Sequence, residues 1–244
     1  MKKWIVLIMT LLLATVVVAC GDDNNAEGNK DSNQEEQQEQ GNTGKEGEKP
    51  KKVEITDKEK VSEDEVVASV NGEEIKGDRY NPTYSQLKIT MGQYNQDVSD
   101  LDKLKKQTIE MLITQHLINT DAAKKGIEVT EKEVQKEFDK IKKENEDRLK
   151  TALEQFQMDE EQFKTMLKDN IITTEYTDKE FDVKVSDKEV KEYYNKIKEQ
   201  SEEVAKLDDL EEQIKTRLEQ EKASAQLQKR IDDLKKDAEI KTLL

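Results

Sequence analysis

From Leu101 to Leu234 the apolar residues return mostly at every third, fourth or fifth position, and no proline follows Pro82. Such spacing lines one side of a helix, whose interior is where proline is least tolerated. Long helices joined by few turns are the expectation. Little strand is expected beside them, because sheets draw on aromatic and β-branched residues and aromatic residues make up only 5% of the chain. Charged residues account for 40% of the 244 positions, the formal net charge is −15 and the mean hydropathy is −1.00. That balance excludes a protein of many membrane spans. It also argues against nucleic acid as a partner, since phosphate binding rests on an excess of Lys and Arg. Cys20 is the only cysteine and His116 the only histidine. Intrachain disulfides, cysteine-based zinc sites and histidine-based triads are thereby removed. No metal, cofactor or catalytic residue is expected.

The one convincing strand signal runs from Val67 to Ile75, around Asn71-Gly72, a dipeptide that takes the positive φ angles of a tight hairpin turn cheaply. Asp78 or Asn81 is expected to cap the next helix, with Pro82 in its first turn. Gly126 sits where a helix C-terminus belongs. Thr130 to Glu133 and Ser186 to Glu189 read as capping boxes, and Asp159 opens a further helix. The last helix is expected from about Asp208 to Lys236. After it, Ala238-Glu239-Ile240 reads as an extended tail that adds to the hairpin. The fold class is mostly α, with long helices and a small N-terminal β-hairpin.

Lys2 and Lys3 precede an uncharged, mostly apolar run from Trp4 to Ala19. A bilayer span needs roughly 20 apolar residues, so this run is short for one and fits an export signal. It ends in Val17-Val18-Ala19-Cys20, which resembles the lipobox of bacterial lipoproteins. The resemblance implies diacylglyceryl transfer to the Cys20 thiol and cleavage after Ala19. The mature chain would then be held at the extracytoplasmic face of the cell membrane by its acylated cysteine. Two acyl chains anchor stably, each buried CH₂ contributing about 0.8 kcal/mol. An uncleaved anchor with an incidental cysteine is the alternative. Gly21 to Lys60 is rich in Asn, Gln, Glu, Gly and Lys and nearly free of large apolar residues. Such a segment is expected to stay disordered, with a reach of roughly 35 Å. A partner-binding tail is the other reading of its glutamine run. The expected organisation is a signal peptide over 1–19, lipidated Cys20 and a tether over 20–60, and a folded domain over 61–244.

Three stretches in this order, VASVNGEEI, AKKGIEVTEKEVQKEFDKIKK and VKVSDKEVKEYYNKIKE, resemble the SurA N-terminal-domain family. That family includes the PrsA-type foldase lipoproteins of Gram-positive bacteria, and its modules are similar to the trigger-factor C-terminal module. The resemblance spans roughly Val66 to Leu244. It implies a helical cradle that joins N- and C-terminal segments and binds unfolded or newly secreted polypeptides without ATP. In PrsA-type proteins a parvulin domain follows the helix equivalent to Val190–Ile197. Here Leu207-Asp208-Asp209-Leu210 comes within a few residues of Gln200, whereas a parvulin domain needs on the order of 100 residues. No prolyl isomerase activity is therefore expected.

Met91, Tyr94, Phe156 and Met158 are the candidate client-binding residues. Methionine is flexible and polarizable, which suits promiscuous apolar contacts. Core packing is the alternative for all four, and Met91 with Tyr94, near Gly92, is the pair expected to be exposed. His116 lies beside Leu112, Ile113 and Leu117 and reads as structural. Paired carboxylates such as Glu131 with Glu133 read as helix-start charges, and no EF-hand spacing is present. Three functions follow. The first is a lipid-anchored holdase or foldase whose acidic exterior keeps a loaded complex soluble. The second is an adaptor lipoprotein using its helices for one partner, against which the apolar spacing breaks near Asn145 and Glu221. The third is a residual prolyl isomerase.

Overall fold

Helix starts carry the local code of this chain. At Thr130, Asp159 and Ser186 the side chain accepts a hydrogen bond from the backbone three residues on, while Glu133, Gln162 and Glu189 reach back. Each exchange satisfies donors that a first turn leaves free. The computed structural model describes residues 53–201 and 204–244. Ala19, Cys20, the expected export signal and most of the expected tether lie outside the described residues. Six helices make up most of the described chain: α1 Gly77–Gln93, α2 Leu101–Lys124, α3 Glu131–Phe156, α4 Glu160–Glu180, α5 Asp187–Gln200 and α6 Leu207–Asp237. Gly126, at φ +72°, follows the end of α2 as expected.

The hairpin forms between β1 (Val66–Val70) and β2 (Glu73–Lys76), with Asn71 and Gly72 at φ 53° and 86°. Its other edge is taken by β3 (Ile240–Thr242), which pairs antiparallel with β1 through Val70 and Ile240. The extended C-terminal tail thus joins the hairpin across the whole folded chain. Asn71 fastens the junction: its N–H donates to the Glu239 carbonyl at 2.8 Å, and its side chain accepts from the Glu239 N–H at 2.9 Å.

The start of α1 differs from expectation. Neither Asp78 nor Asn81 caps it, because β2 leads directly into the helix and its first donors are taken by backbone. Gly77 N–H donates to the Glu65 carbonyl at 2.9 Å and Asp78 N–H to the Glu63 carbonyl at 3.0 Å. Asn81 instead holds both polar groups of Val61, at 2.9 and 3.0 Å. Pro82 consequently falls beyond the first turn, inside the helix.

The boundary expected at residue 60 also moves. Residues 53–60, read as tether, pack on the body. Asp57–Glu59 forms a 3-10 turn, Ile55 and Val61 pack on the first core, and Glu59 is 3% exposed. The Glu59 carboxylate accepts from the Tyr84 hydroxyl at 2.8 Å, from the Lys88 ammonium, and from the Thr56 N–H and hydroxyl at 2.9 and 2.8 Å. Close approach at Gly77 completes the docking, since a Cβ there would stand 2.0 Å from the Ser62 carbonyl oxygen. Gly77→Ala is therefore expected to destabilise the fold by about 1–3 kcal/mol, because the obstacle is backbone and cannot rotate away. Gly72→Ala meets open space and costs only its positive φ, about 1 kcal/mol. Urea unfolding of the two variants ranks them, and equal midpoints would show that 61–65 does not dock against α1.

Three apolar clusters fill the interior. The first joins the sheet to α1 and α2 through residues such as Val67, Val70, Tyr80, Tyr84, Leu104 and Leu112, with Leu234 and Ile240 packed against it. The second joins the end of α2 to α4 and α6 through Ile118, Ala122, Val134, Tyr176 and Ile231. The third lies between α3 and α4. Asn145 breaks α3 at φ −149°, ψ 46°, as the interrupted apolar spacing foretold. No break occurs at Glu221, where α6 continues and Arg217 pairs with Glu221 at 3.0 Å one turn away. The interruption there marks an exposed face of the helix.

Candidate client-binding surface

Met91 and Tyr94 part company at the end of α1. Met91 still lies on the core side of the helix and is 6% exposed, packed in the first cluster. Tyr94 is the C-cap, followed by Asn95 at φ 55°, and stands 65% exposed. The expected exposed pair is thus corrected to Tyr94 alone, because the helix ends between the two. Leu101, at the start of α2, is the other exposed large apolar residue flanking this turn. Met158 is buried in the third cluster, so it too is unavailable on the surface, while Phe156 is half-buried against that cluster. Leu243 and Leu244, beyond β3, are also exposed.

Polar side chains make up most of the lining of two clefts among the described residues. One, about 310 Å³, lies among Arg79, Asn119, Lys168 and Asp169, and its neighbour, about 280 Å³, among Lys76, Asp78, His116 and Asn119. Asp169, buried on α4, lines the first, and Arg79 and Asn119 line both. Asp169 pairs with Arg79 and accepts from Asn119 at 2.8 Å, and Asn119 in turn accepts from Gln115 at 2.8 Å. His116 stands 3.4 Å from the Glu73 carboxylate and links α2 to the hairpin. Most of the charged groups in these clefts are paired with one another, and their apolar lining is limited to Ile172 in the first and to Ile75 and Leu112 in the second.

A second buried carboxylate ties α6 to the middle of the chain. Asp121 on α2 accepts from Arg230 at 2.7 and 3.1 Å and from the Tyr176 hydroxyl. Burial by itself pushes the Asp121 carboxyl up, but the Arg230 and Tyr176 hydrogen bonds hold it below its usual range. Burial and the bond to Asp121 push the Tyr176 hydroxyl up to about 12, so it stays a donor. Neither Asp121 nor Asp169 was singled out from sequence. The available signal was a charged residue inside an apolar stripe, as in Leu117, Ile118, Asp121 and Ala122. Among the described residues no group of three His, Cys, Asp or Glu is placed to hold a metal. No described helix is long and apolar enough to cross a membrane.

The SurA-like N-terminal domain model matches residues 53–177, from the docked N-terminal segment through most of α4. The chain belongs to this family. The match begins at Val53, in agreement with the packed segment before Lys60. Within the family the chain is similar to foldase protein PrsA of Caldanaerobacter subterraneus subsp. tengcongensis. The two are 37% identical over 153 residues, 58% of this chain and 45% of that protein. It is also similar to foldase protein PrsA of Clostridium perfringens, with 31% identity over 147 residues, 55% and 43% of the respective chains. The matched part is under half the length of these curated relatives. This SurA-like domain is thus a PrsA-type member with the helical class its sequence implied.

Proposed function

We propose that this protein is a lipid-anchored extracytoplasmic chaperone that captures unfolded secreted polypeptides without ATP. The observation that carries the reading is the SurA-like N-terminal domain over 53–177, shared with proteins named for folding. The lipobox-like end of the leader at Cys20 supports the anchor and the extracytoplasmic location. Weak burial at several points suits such a task, since a tight site would not release its client. Tyr94 with Leu101 is one such point, and the half-buried Phe156 belongs to another. Prolyl isomerisation is left out, because six residues separate α5 from α6, where the family pattern inserts on the order of 100.

The full chain, in molar excess and without nucleotide, is expected to suppress aggregation of a chemically denatured model protein. Cys20→Ala is expected to leave that suppression and the melting transition unchanged while moving the protein from the membrane to the soluble fraction. No suppression at several-fold excess removes the chaperone reading. Membrane retention of the Cys20→Ala protein with its leader intact removes the lipid anchor. Co-isolation of one stoichiometric partner in place of many clients replaces capture by the adaptor role.

A further inference from the structure

Helix α3 is two helices in one. Asn145 interrupts it, and the chain turns again at Gln157, whose φ is +53° and whose side chain accepts from Lys60 at 3.1 Å. Between these breaks lies the segment 146–156, whose large apolar residues Leu149, Leu153 and Phe156 follow at i, i+4 and i+7. All three pack into the cluster of Phe138, Met158 and Phe163, beside Met166. The rest of the segment is polar apart from Ala152.

The two halves of α3 are held in different ways. The first is tied to α4 by Lys168 to Glu131 at 2.6 Å and Lys142 to Glu160 at 2.8 Å. Among the described residues, no side-chain hydrogen bond or ion pair links 146–156 to another element. Its own such bond, Thr151 to the Asp147 carbonyl, is internal. An isolated helix shorter than about 12–15 residues is marginal in water. The order of this segment therefore rests on apolar packing, chiefly of Leu149, Leu153 and Phe156, the pattern of a region that opens locally while the remainder stays folded.

What the segment covers suits a client. Phe138 and Phe163 meet edge to face at 6.0 Å, and the ammonium groups of Lys142 and Lys164 lie 5.6 and 5.0 Å from the centre of the Phe138 ring. Two phenylalanines and two methionines, with the stems of Lys142 and Lys164 over the Phe138 ring, accept varied apolar side chains, while the ammonium groups stay paired with Glu160 and Glu161. The covering segment is amphipathic in the same way, with Glu146, Asp147, Arg148, Lys150 and Glu154 around its leucines.

We infer that 146–156 is a displaceable lid occupying the place of a client, and that the surface beneath it takes an amphipathic stretch of unfolded polypeptide with apolar residues at i, i+4 and i+7. The inference rests on the chaperone reading and deepens it by assigning the surface. It also accounts for a body in which Met158 and Phe163 are buried while apolar clients must be bound. Capture exchanges one amphipathic segment for another, so the protein does not present an open apolar face to its neighbours.

Hydrogen exchange of the full chain, with and without reduced and carboxymethylated α-lactalbumin as a permanently unfolded probe, tests the lid. Alone, the amides of 146–156 are expected to exchange together and faster than those of 131–144 and 160–180. Adding the probe is expected to speed exchange in 146–156 and slow it in 160–168. The double variant Leu149→Ser/Leu153→Ser holds the lid open. If the open form is about a tenth of the population or less, that variant binds the probe about tenfold more tightly or better. Its main melting transition is retained, and adding Met166→Ser cancels the gain. Probe binding that leaves 146–156 as protected as before, or more so, overturns the lid while leaving the chaperone reading intact. Loss of the main transition in the double variant overturns it as well, since the segment would then be part of the global core. Failure of both the wild type and the opened variant to bind the probe overturns the chaperone reading, and the lid with it.

Discussion

A chain ending at Gln200 is expected to lose cooperative unfolding and to bind apolar dyes. Truncation there removes α6 and β3 together, and these reach every part of the described fold except the α3–α4 cluster. Ile231 leaves the second core, where it is 6% exposed, and Leu234 and Ile240 leave the first. The β1 edge loses its partner strand. Burying side chains of this size contributes roughly 1.5–3 kcal/mol each when complete. Arg230 leaves as well, and with it the guanidinium that ties Asp121 on α2 to α6. Together these losses rival the 5–15 kcal/mol that holds a typical domain. A sharp, near-unchanged melting transition in circular dichroism would mean that each helix depends only on its sequence neighbours. The contacts of Arg230 with Asp121 argue otherwise.

Lys88→Met is expected to cost about 3–5 kcal/mol, because it strands Glu59 in the interior without its cation. In the wild type, burial alone pushes the Glu59 carboxyl up. The donors Lys88, Thr56 and Tyr84 outweigh it and bring the group down from 4.5 to about 2. A carboxylate depressed in the folded state stabilises the fold fully above its unfolded value and loses that contribution on protonation. The Glu59 contribution is therefore complete above about pH 4.5 and fades as the pH falls toward about 2. Many carboxylates titrate in that window, so the readout is the difference in midpoint between the wild type and Glu59→Gln, which should shrink with falling pH. The double variant Glu59→Gln/Lys88→Met should recover much of the loss, since neither charge is then left alone. A cost for Lys88→Met of the size seen for exposed pairs, under about 1 kcal/mol, would place 53–60 in solvent.

Much of the local architecture was legible because local chemistry dictates it. The capping boxes at Thr130 and Ser186 start helices where their side chains satisfy free backbone donors. Asn71-Gly72 turns the hairpin because both residues tolerate positive φ. Gly126 ends α2 for the same reason. The broken apolar spacing near Asn145 marked the interruption of α3, though the similar irregularity near Glu221 did not mark one in α6. The spacing of apolar residues shows which side of a helix faces inward, not whether a neighbour covers it.

The candidate surface was less legible. Met91 and Tyr94 look alike in sequence, and only the end of α1 between them buries one and exposes the other. Met158 is covered because α3 folds back onto α4. Residues 53–60 have a tether's composition, yet they pack because Glu59 meets Lys88, 29 residues on, and Val61 meets Asn81. Asp121 and Arg230 are 109 residues apart and pair only in the folded chain. By itself the sequence determined the helical class, most helix starts and the hairpin turn, since each rests on residues within a few positions of one another. The tertiary structure decided where the folded body begins, which charges are buried in pairs and which apolar residues remain open. Those outcomes depend on contacts between distant segments, and burial is a property of the neighbours as much as of the residue.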